Sequence, residues 1–252
     1  MIQDSKEMLA SILTLTPQKR AGGGDGDGGG IIKLIRELQE KVPELIDYHK
    51  LRSKLRGNDD PRNVVLLQEV ARYAVLVVQL AKQLVQLERG SLGLEVISPE
   101  LEDTMVALGE NRVPKTWGRY YFSLKPLASW FEDLGQRYGF FQNWAALAMR
   151  AQPTTPFHYW IGAFTYPTGF TTSLLQRFSR FSRSGAPIDM LTFDFIPVQK
   201  EPHELQEHPK DGAYIVKLYL EGASWDPERL CLQQPSVMQL TCPLPVLHFK
   251  PI

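Results

Sequence analysis

Cysteine is nearly missing from this chain: Cys231 and Cys242 are the only two among 252 residues. Neither sits in a CxxC spacing or beside a pair of histidines, which excludes a zinc tetrahedron, and both read as reduced, buried thiols rather than a disulfide. Charge of one sign is missing too. Lys+Arg and Asp+Glu both number 28, so no global field draws the chain to nucleic acid or to anionic lipid. The opening residues Asp4 and Glu7 stand where a secretory signal needs a basic end and an apolar run, which argues against export. Long hydrophobic runs are interrupted as well. The most apolar one, Val64 to Leu87, contains Glu69, Arg72 and Lys82, so it reads as a core helix and not a membrane span.

Chemistry-bearing clusters are equally sparse. The glycine-rich stretch Ala21 to Gly30 is followed by Ile31 and Ile32, not by the Lys and Ser/Thr that a phosphate loop needs, and Asp25 with Asp27 would repel a phosphate. An EF-hand would need a Glu where Arg36 stands. The stretch therefore reads as a flexible linker. The histidines His49, His158, His203, His208 and His248 are scattered, and Glu201, Glu204 and Glu207 share a Pro-rich loop with two of them, so all read as solvated. Arg177, Arg180 and Arg183 recur every three residues and could meet a phosphate or an acidic partner, but read as an exposed helix face beside Phe178 and Phe181. No catalytic, cofactor-binding or metal-binding residue is assigned.

What is present is a core. Hydrophobic residues make up 43% and charged residues 22% of the chain, as in a folded globular protein. Four of five Trp and all but one of twelve Phe fall between Val113 and Ile196, and aromatics supply most of the area a core can bury.

Helical spacing appears first in Asp4 to Leu15, which Pro17 ends, and again in Ile31 to Lys41. A basic, irregular run follows to Arg56. Asp60-Pro61 opens the longest helix, with one stripe through Val64, Leu67, Val70, Val77, Val78 and Val85 and a second through Leu66, Tyr73, Leu76, Leu80 and Leu87. Two stripes imply packing on two sides, with Gly90 after the end. Ser98-Pro99 caps a further helix that Gly109 closes. Ser123 is expected to cap an aromatic helix from Leu124 to about Met149, with Leu127, Trp130, Phe131, Leu134, Tyr138 and Phe141 on its buried face.

Beyond Pro156 the period shortens. Phe157 to Phe164 reads as a buried strand, Pro167 to Arg183 as a helix, and Leu191 to Phe195 and Tyr214 to Leu220 as alternating strands. Pro197 to Lys210 reads as an exposed loop, and Pro245 to Phe249 as a last short strand. Leu244 to Phe249 is expected to form an uncovered apolar edge that promotes self-association. Helices first and strands afterwards give the α+β class.

The residue order carries a resemblance. Val113-Pro114-Lys115-Thr116-Trp117, then Ser123-Leu124-Lys125-Pro126-Leu127-Ala128-Ser129-Trp130 with Asp133-Leu134 and Arg137, resembles the "VPxxW … SLKPLGSW … DLxxR" run of the C-terminal region of dynein heavy chains. Tyr159-Trp160-Ile161 with Phe164, Phe170, Gln176 and Arg180 resembles "FWISGF … FLTxxLQxxAR". Ile188-Asp189 with Phe193-Asp194-Phe195 resembles "PID … FxF". Gly212 and Tyr214, Glu221-Gly222 and Trp225-Asp226 resemble "DGxYxxGLFLEGARWD". Pro245, Lys250 and Pro251 fit "PLPIIWLKP", and Leu9 to Pro17 fits an axonemal-type "LLxTILSLQPR". The sequence departs from these patterns at Phe122, Gly162-Ala163, Lys217 (usually Gly), Ser224 and His248.

That resemblance implies N-terminal helices followed by an incomplete β-barrel interrupted by a helix. Residues 1–20 would correspond to the end of the last AAA+ module or the start of the C-terminal region, 21–30 to a Gly/Asp loop, 31–112 to a helical subdomain, and 113–252 to the aromatic helix plus a partial barrel truncated at its C-terminal end. It further implies a non-catalytic module that packs on the AAA+ ring of the same heavy chain. Light chains, intermediate chains and microtubules would be reached only through the full complex, in the cytoplasm and cytoskeleton of a cilium or flagellum axoneme. Nucleic acid, membranes and cofactors are not implied. The competing reading is a stand-alone hydrolase or ligand-binding domain with the aromatic region as its pocket.

Overall fold

The computed structural model describes residues 28–182 and 185–252. The expected helix over Asp4 to Leu15, most of the Gly/Asp loop and Arg183 lie outside them. Among the described residues seven helices run in order, α1 (Gly28–Lys41), α2 (Tyr48–Leu55), α3 (Pro61–Ser91), α4 (Pro99–Gly109), α5 (Lys115–Gly118), α6 (Leu127–Ala148) and α7 (Pro167–Phe181). The strands are β1 (His158–Tyr159), β2 (Phe193–Val198), β3 (Ala213–Ile215), β4 (Tyr219–Glu221), β5 (Ser224–Asp226), β6 (Cys231–Gln233), β7 (Thr241–Pro243) and β8 (Val246–Pro251). Two compact units result, one from the described part of Met1–Leu45 with Ala71–Gly139, the other from Ile46–Val70 with Phe140–Ile252.

The first unit is helical, and its helix ends follow from local chemistry. Ser98 caps α4 by accepting from Leu101 N–H, with Glu100 and Glu102 in the first turn facing the positive end of the dipole. α3 runs to Ser91, two residues beyond the end that Gly90 suggests. Gly93 takes φ +72°, and the bonds Leu94 N–H to Arg89 O and Gly93 N–H to Gly90 O close a Schellman motif. Asn111, at φ 55°, closes α4 by the same pattern. Leu76, Leu80 and Leu87 of the second expected stripe of α3 are buried, as are Leu84 and, from the first stripe, Val77. Val78 and Val85 of the first stripe and the neighbouring Val75 are about half exposed, so the first stripe is covered only in part.

α6 begins three residues later than expected. Ser123 Oγ accepts from Lys125 N–H, a local turn, and Pro126 O accepts the first helical bond from Trp130. Its stripe is as read: Leu127, Trp130, Phe131, Leu134, Tyr138, Phe141, Ala145 and Ala148 are all buried. Trp117 of α5 stacks on Trp130 at 6.1 Å, and its indole N–H donates to the buried Gln83 of α3.

The second unit holds the sheets. One irregular stretch of the sequence is in fact α2, whose N-cap Asp47 accepts from Lys50 N–H and which buries Leu51 and Leu55 one turn apart. By length and composition α3 could cross a bilayer, yet 44% of its most apolar window is buried within the fold. Its Glu69 is buried and holds the start of α7, accepting from Thr165 N–H (2.8 Å), the Thr165 hydroxyl (2.8 Å) and Tyr166 N–H (3.2 Å). The rings of Phe141, Trp144, Tyr159, Phe164 and Phe170 pack against one another beside α7, with Phe164 stacked on Phe170 at 4.6 Å.

Four strands form one sheet in the order β1-β3-β8-β2, with β1 parallel to β3 and the other pairs antiparallel. Two ribbons, β4-β7 and β5-β6, complete the β structure. The fold is mixed helix and sheet, as expected, but among the described residues the strands form no closed barrel. The stretch Leu244 to Phe249 is not an edge: β8 is interior, paired with β3 on one side and β2 on the other. Phe157 to Phe164 gives only two strand residues before the 3-10 turn Ile161–Ala163. Tyr214 to Leu220 is two strands, because Lys217 adopts φ 58° between them. Cys231 is exposed and only Cys242 is buried, both as free thiols.

Candidate functional site

The signature residues named from the sequence do not converge on one place. In the first unit they build a polar cluster. Asp133 on α6 takes the Tyr121 hydroxyl, Lys125 Nζ at 3.0 Å and Arg137 Nε at 2.8 Å, the last from one turn along the same helix. Burial alone would raise the Asp133 carboxyl, but these three donors hold it below the ordinary range. Burial and the carboxylate push the Tyr121 phenol up. Trp130 Nε1 donates to Tyr121 O at 3.1 Å, and Arg137 lies 4.8 Å over the Tyr121 ring. Lys125, Trp130, Asp133 and Arg137 thus form one interlocked structural contact. Pro114 and Trp117 are buried as well, while Leu124 is 87% exposed.

In the second unit the signature positions explain backbone and packing. Gly212 takes φ +76° and lies so close to β8 that a Cβ would stand 1.9 Å from Phe249 O. Phe193 pairs with Pro251 and Asp194 with Lys250 across β2 and β8, and Tyr214 pairs with His248. Gly222 takes φ +69° after β4, and Asp226 accepts from Glu228 and Arg229 N–H. Trp160 lies under Lys217 Nζ at 4.4 Å. Phe164 and Phe170 are core, whereas Asp189 and Glu221 are exposed and Pro245 borders a separate groove.

A different set of residues makes a cavity of about 400 Å³ in this unit. Its floor comes from the start of α3. Asp60 accepts from Arg62 N–H at 3.0 Å and pairs with the Arg62 guanidinium through Nε (3.0 and 3.1 Å) and Nη2 (2.6 Å). Arg62 Nη1 reaches Tyr159 Oη at 3.2 Å and Thr155 Oγ1 at 3.5 Å. From α7, Arg177 Nη1 adds a bond to Asp60 at 3.2 Å. Although burial works against it, the Arg62 and Arg177 charges hold the Asp60 carboxyl below its usual value.

Phe178 and Phe181 of α7 and the segment 208–213 form the walls. The His208 ring lies tilted against Phe157, with centroids 4.8 Å apart. Partial desolvation, then the positive charges of Arg62 and Arg177, lower its imidazole pKa.

His208 and Arg180 are exposed, as the sequence reading has them, though His208 also lines the cavity. Arg177, expected on the same open helix face as Arg180, lines the cavity too, and Arg180 donates to Asp59 O at 3.2 Å. Glu201 and Glu204 are committed to a capping box on the 3-10 turn Pro202–Glu204. The Asp60–Arg177 pairing spans 117 residues, and no local pattern announces it. Among the described residues no group of three or more His, Cys, Asp or Glu is placed to hold a metal.

Residues 2–252 match the family model of the C-terminal domain of dynein heavy chains. Axonemal dynein heavy chain 2 of Mus musculus is 38% identical over 252 residues, 99% of this chain and 6% of that protein. The dynein-1-beta heavy chain of the flagellar inner arm I1 complex of Chlamydomonas reinhardtii is 38% identical over 255 residues, 100% of this chain and 6% of that protein. Axonemal dynein heavy chain 1 of Homo sapiens is 35% identical over 97% of this chain, again 6% of its own length. The sequence therefore spans only a small part of the relatives it matches. On a match that runs through both compact units, this protein belongs to the family of C-terminal domains of dynein heavy chains.

Proposed function

We propose that the protein acts as the non-catalytic C-terminal module of an axonemal dynein heavy chain. In this reading it packs on the AAA+ ring of the same heavy chain and supports or regulates ATP-driven, microtubule-based movement in a cilium or flagellum. ATP hydrolysis belongs to the ring. Light chains, intermediate chains and microtubules are met through the assembled complex.

The observation that carries the proposal is the family match over residues 2–252, together with relatives whose names place them in axonemes and flagella. A physical feature supports it. Val75, Val78 and Val85 are each about half exposed on a helix whose Leu76, Leu80 and Leu87 are core, and an uncovered apolar row of this kind marks an interaction surface.

The test is made in the complete heavy chain. Deleting this region, or changing Val75 and Val78 together to Lys, is expected to alter ring ATPase and microtubule gliding velocity. Unchanged ATPase and gliding after the deletion would refute the proposal.

A further inference from the structure

We propose that the cavity between α7 and the 208–213 segment binds a phosphate-bearing small molecule, its phosphoryl oxygens held by Arg177 and Lys210. This goes beyond the motor-module reading and does not depend on it.

The cavity wall carries charge that the fold has not used. Arg62 is committed, with Nε and Nη2 on Asp60 and Nη1 on Tyr159 and Thr155. Arg177 commits only Nη1, to Asp60, and its Nε and Nη2 have no partner among the described residues. Its guanidinium is held in place 5.3 Å over the Phe181 ring. Lys210, which also lines the cavity, is exposed and has no partner among the described residues. Setting Arg62, Arg177 and Lys210 against Asp60 and Asp211 leaves one net positive charge, and protonation of His208 supplies a second.

Phosphate fits this arrangement better than carboxylate. A phosphomonoester carries about −1.5 to −2 charge at pH 7 and three acceptor oxygens. A tetrahedral anion can be shared by a guanidinium on one element and an ammonium on another, whereas a planar carboxylate suits a single fork. The volume of about 400 Å³ exceeds what phosphate alone needs and falls within the range of small-molecule sites. Phe178 and Phe181 supply an apolar wall for the organic part of such a ligand.

Binding also has a proton linkage. The charged groups around His208 are Arg62 from α3 and Arg177 from α7, both of which act on it and both of which are paired with Asp60, and Lys210 and Asp211 from its own segment, with the Phe157 ring tilted against it. Without a ligand, partial burial and then the Arg62 and Arg177 charges disfavour the imidazolium. A phosphate dianion reverses that field, and the ring takes up a proton.

Titration of this protein with phenyl phosphate, inorganic phosphate and benzoate, followed by calorimetry and by NMR of the His208 ring, tests the proposal. Saturable binding of phenyl phosphate is expected, with His208 signals moving toward the protonated form. Binding should weaken about tenfold or more in Arg177→Gln and in Lys210→Gln, consistent with losing one charge-assisted pair, and stay unchanged in Lys54→Gln on α2. Because Lys210 is exposed and unpaired among the described residues, Lys210→Gln keeps the fold even where Arg177→Gln weakens it. Absence of saturable binding, or binding unaltered in both variants, overturns the site; benzoate binding as tightly as phenyl phosphate overturns the phosphate assignment. All readouts use these 252 residues by themselves, so their failure leaves the motor-ring reading untouched.

Discussion

Replacing Gly212 by Ala separates two effects that usually arrive together, because Gly222 serves as its control. Both glycines have left-handed φ, +76° and +69°, but a Cβ on Gly222 meets nothing within 4 Å. A Cβ on Gly212 would stand 1.9 Å from Phe249 O, 2.8 Å from Pro251 Cδ and 2.9 Å from Phe249 C. These contacts are with β8 backbone and a fixed ring, neither of which can swing aside. The left-handed conformation alone costs a non-glycine residue about 1–2 kcal/mol. To clear the carbonyl, β3 must move away from β8, disturbing the Ala213–Phe249 and Tyr214–His248 pairings. Losing two ladder hydrogen bonds at about 0.5–1.5 kcal/mol each brings the expected total for Gly212→Ala to roughly 2–5 kcal/mol. Gly222→Ala should cost only the conformational part, about 1–2 kcal/mol. Urea unfolding of both variants by circular dichroism measures the difference, provided the slope with denaturant stays constant. Equal destabilisation of the two, within about 0.5 kcal/mol as expected of independent sites, would show that the close approach of β3 and β8 contributes nothing.

Two further outcomes are expected. Trp130→Ala should destabilise the protein by about 3–5 kcal/mol, the usual cost of deleting a large buried aromatic, since the side chain is fully buried; a change under about 1 kcal/mol in the same assay would contradict its place in the core. Stability should also fall on the acid side in two stages. His158 and His208 have lowered folded-state pKa values, so the unfolded state binds more protons and stability drops as pH falls below about 6.5. Asp60 and Asp133 are lowered as well, so their contribution is complete above the ordinary carboxylate pKa of about 3.9 and is lost as pH falls through the folded values. Thermal melts from about pH 8 to about pH 3 check the sign, and a midpoint that rises on acidification would refute it.

Stripe-bearing helices were legible in the sequence because their periodicity is local. The buried face of α6 matches its expected residues one for one. α2 was not legible: eight residues offer too few turns to show a period, and its evidence is a capping Asp and two leucines that matter only once something covers them. Strand order was not legible either. Whether β8 lies at an edge or inside depends on β2 and β3, which precede it by tens of residues, and nothing in Val246 to Pro251 encodes which neighbours arrive.

The candidate cavity failed to announce itself for the same reason. Arg177 reads as one arginine in a periodic row until Asp60 is placed beside it. Position 217 shows the converse, a departure visible in sequence whose meaning needs coordinates: the family pattern has Gly there, and the backbone is left-handed. Lys217 accepts that conformation and gains a contact with the Trp160 ring, worth about 0.5–1 kcal/mol at an exposed site. The gain partly offsets the strain.

The interior position of β8 also constrains the order of events during synthesis. Among the described residues β1 pairs only with β3 in this sheet, and β2 only with β8, so no strand joins β1 and β3 to β2 until residues 246–251 are in place. In a nascent polypeptide that has emerged as far as β7, β1 can pair with β3 but β2 has no partner in this sheet among the described residues, so both are left with open hydrogen-bonding edges. The helical unit, rich in contacts within and between neighbouring turns, can settle while translation continues. The four-stranded sheet cannot, and it closes only after the ribosome has delivered the strand that lies at its centre.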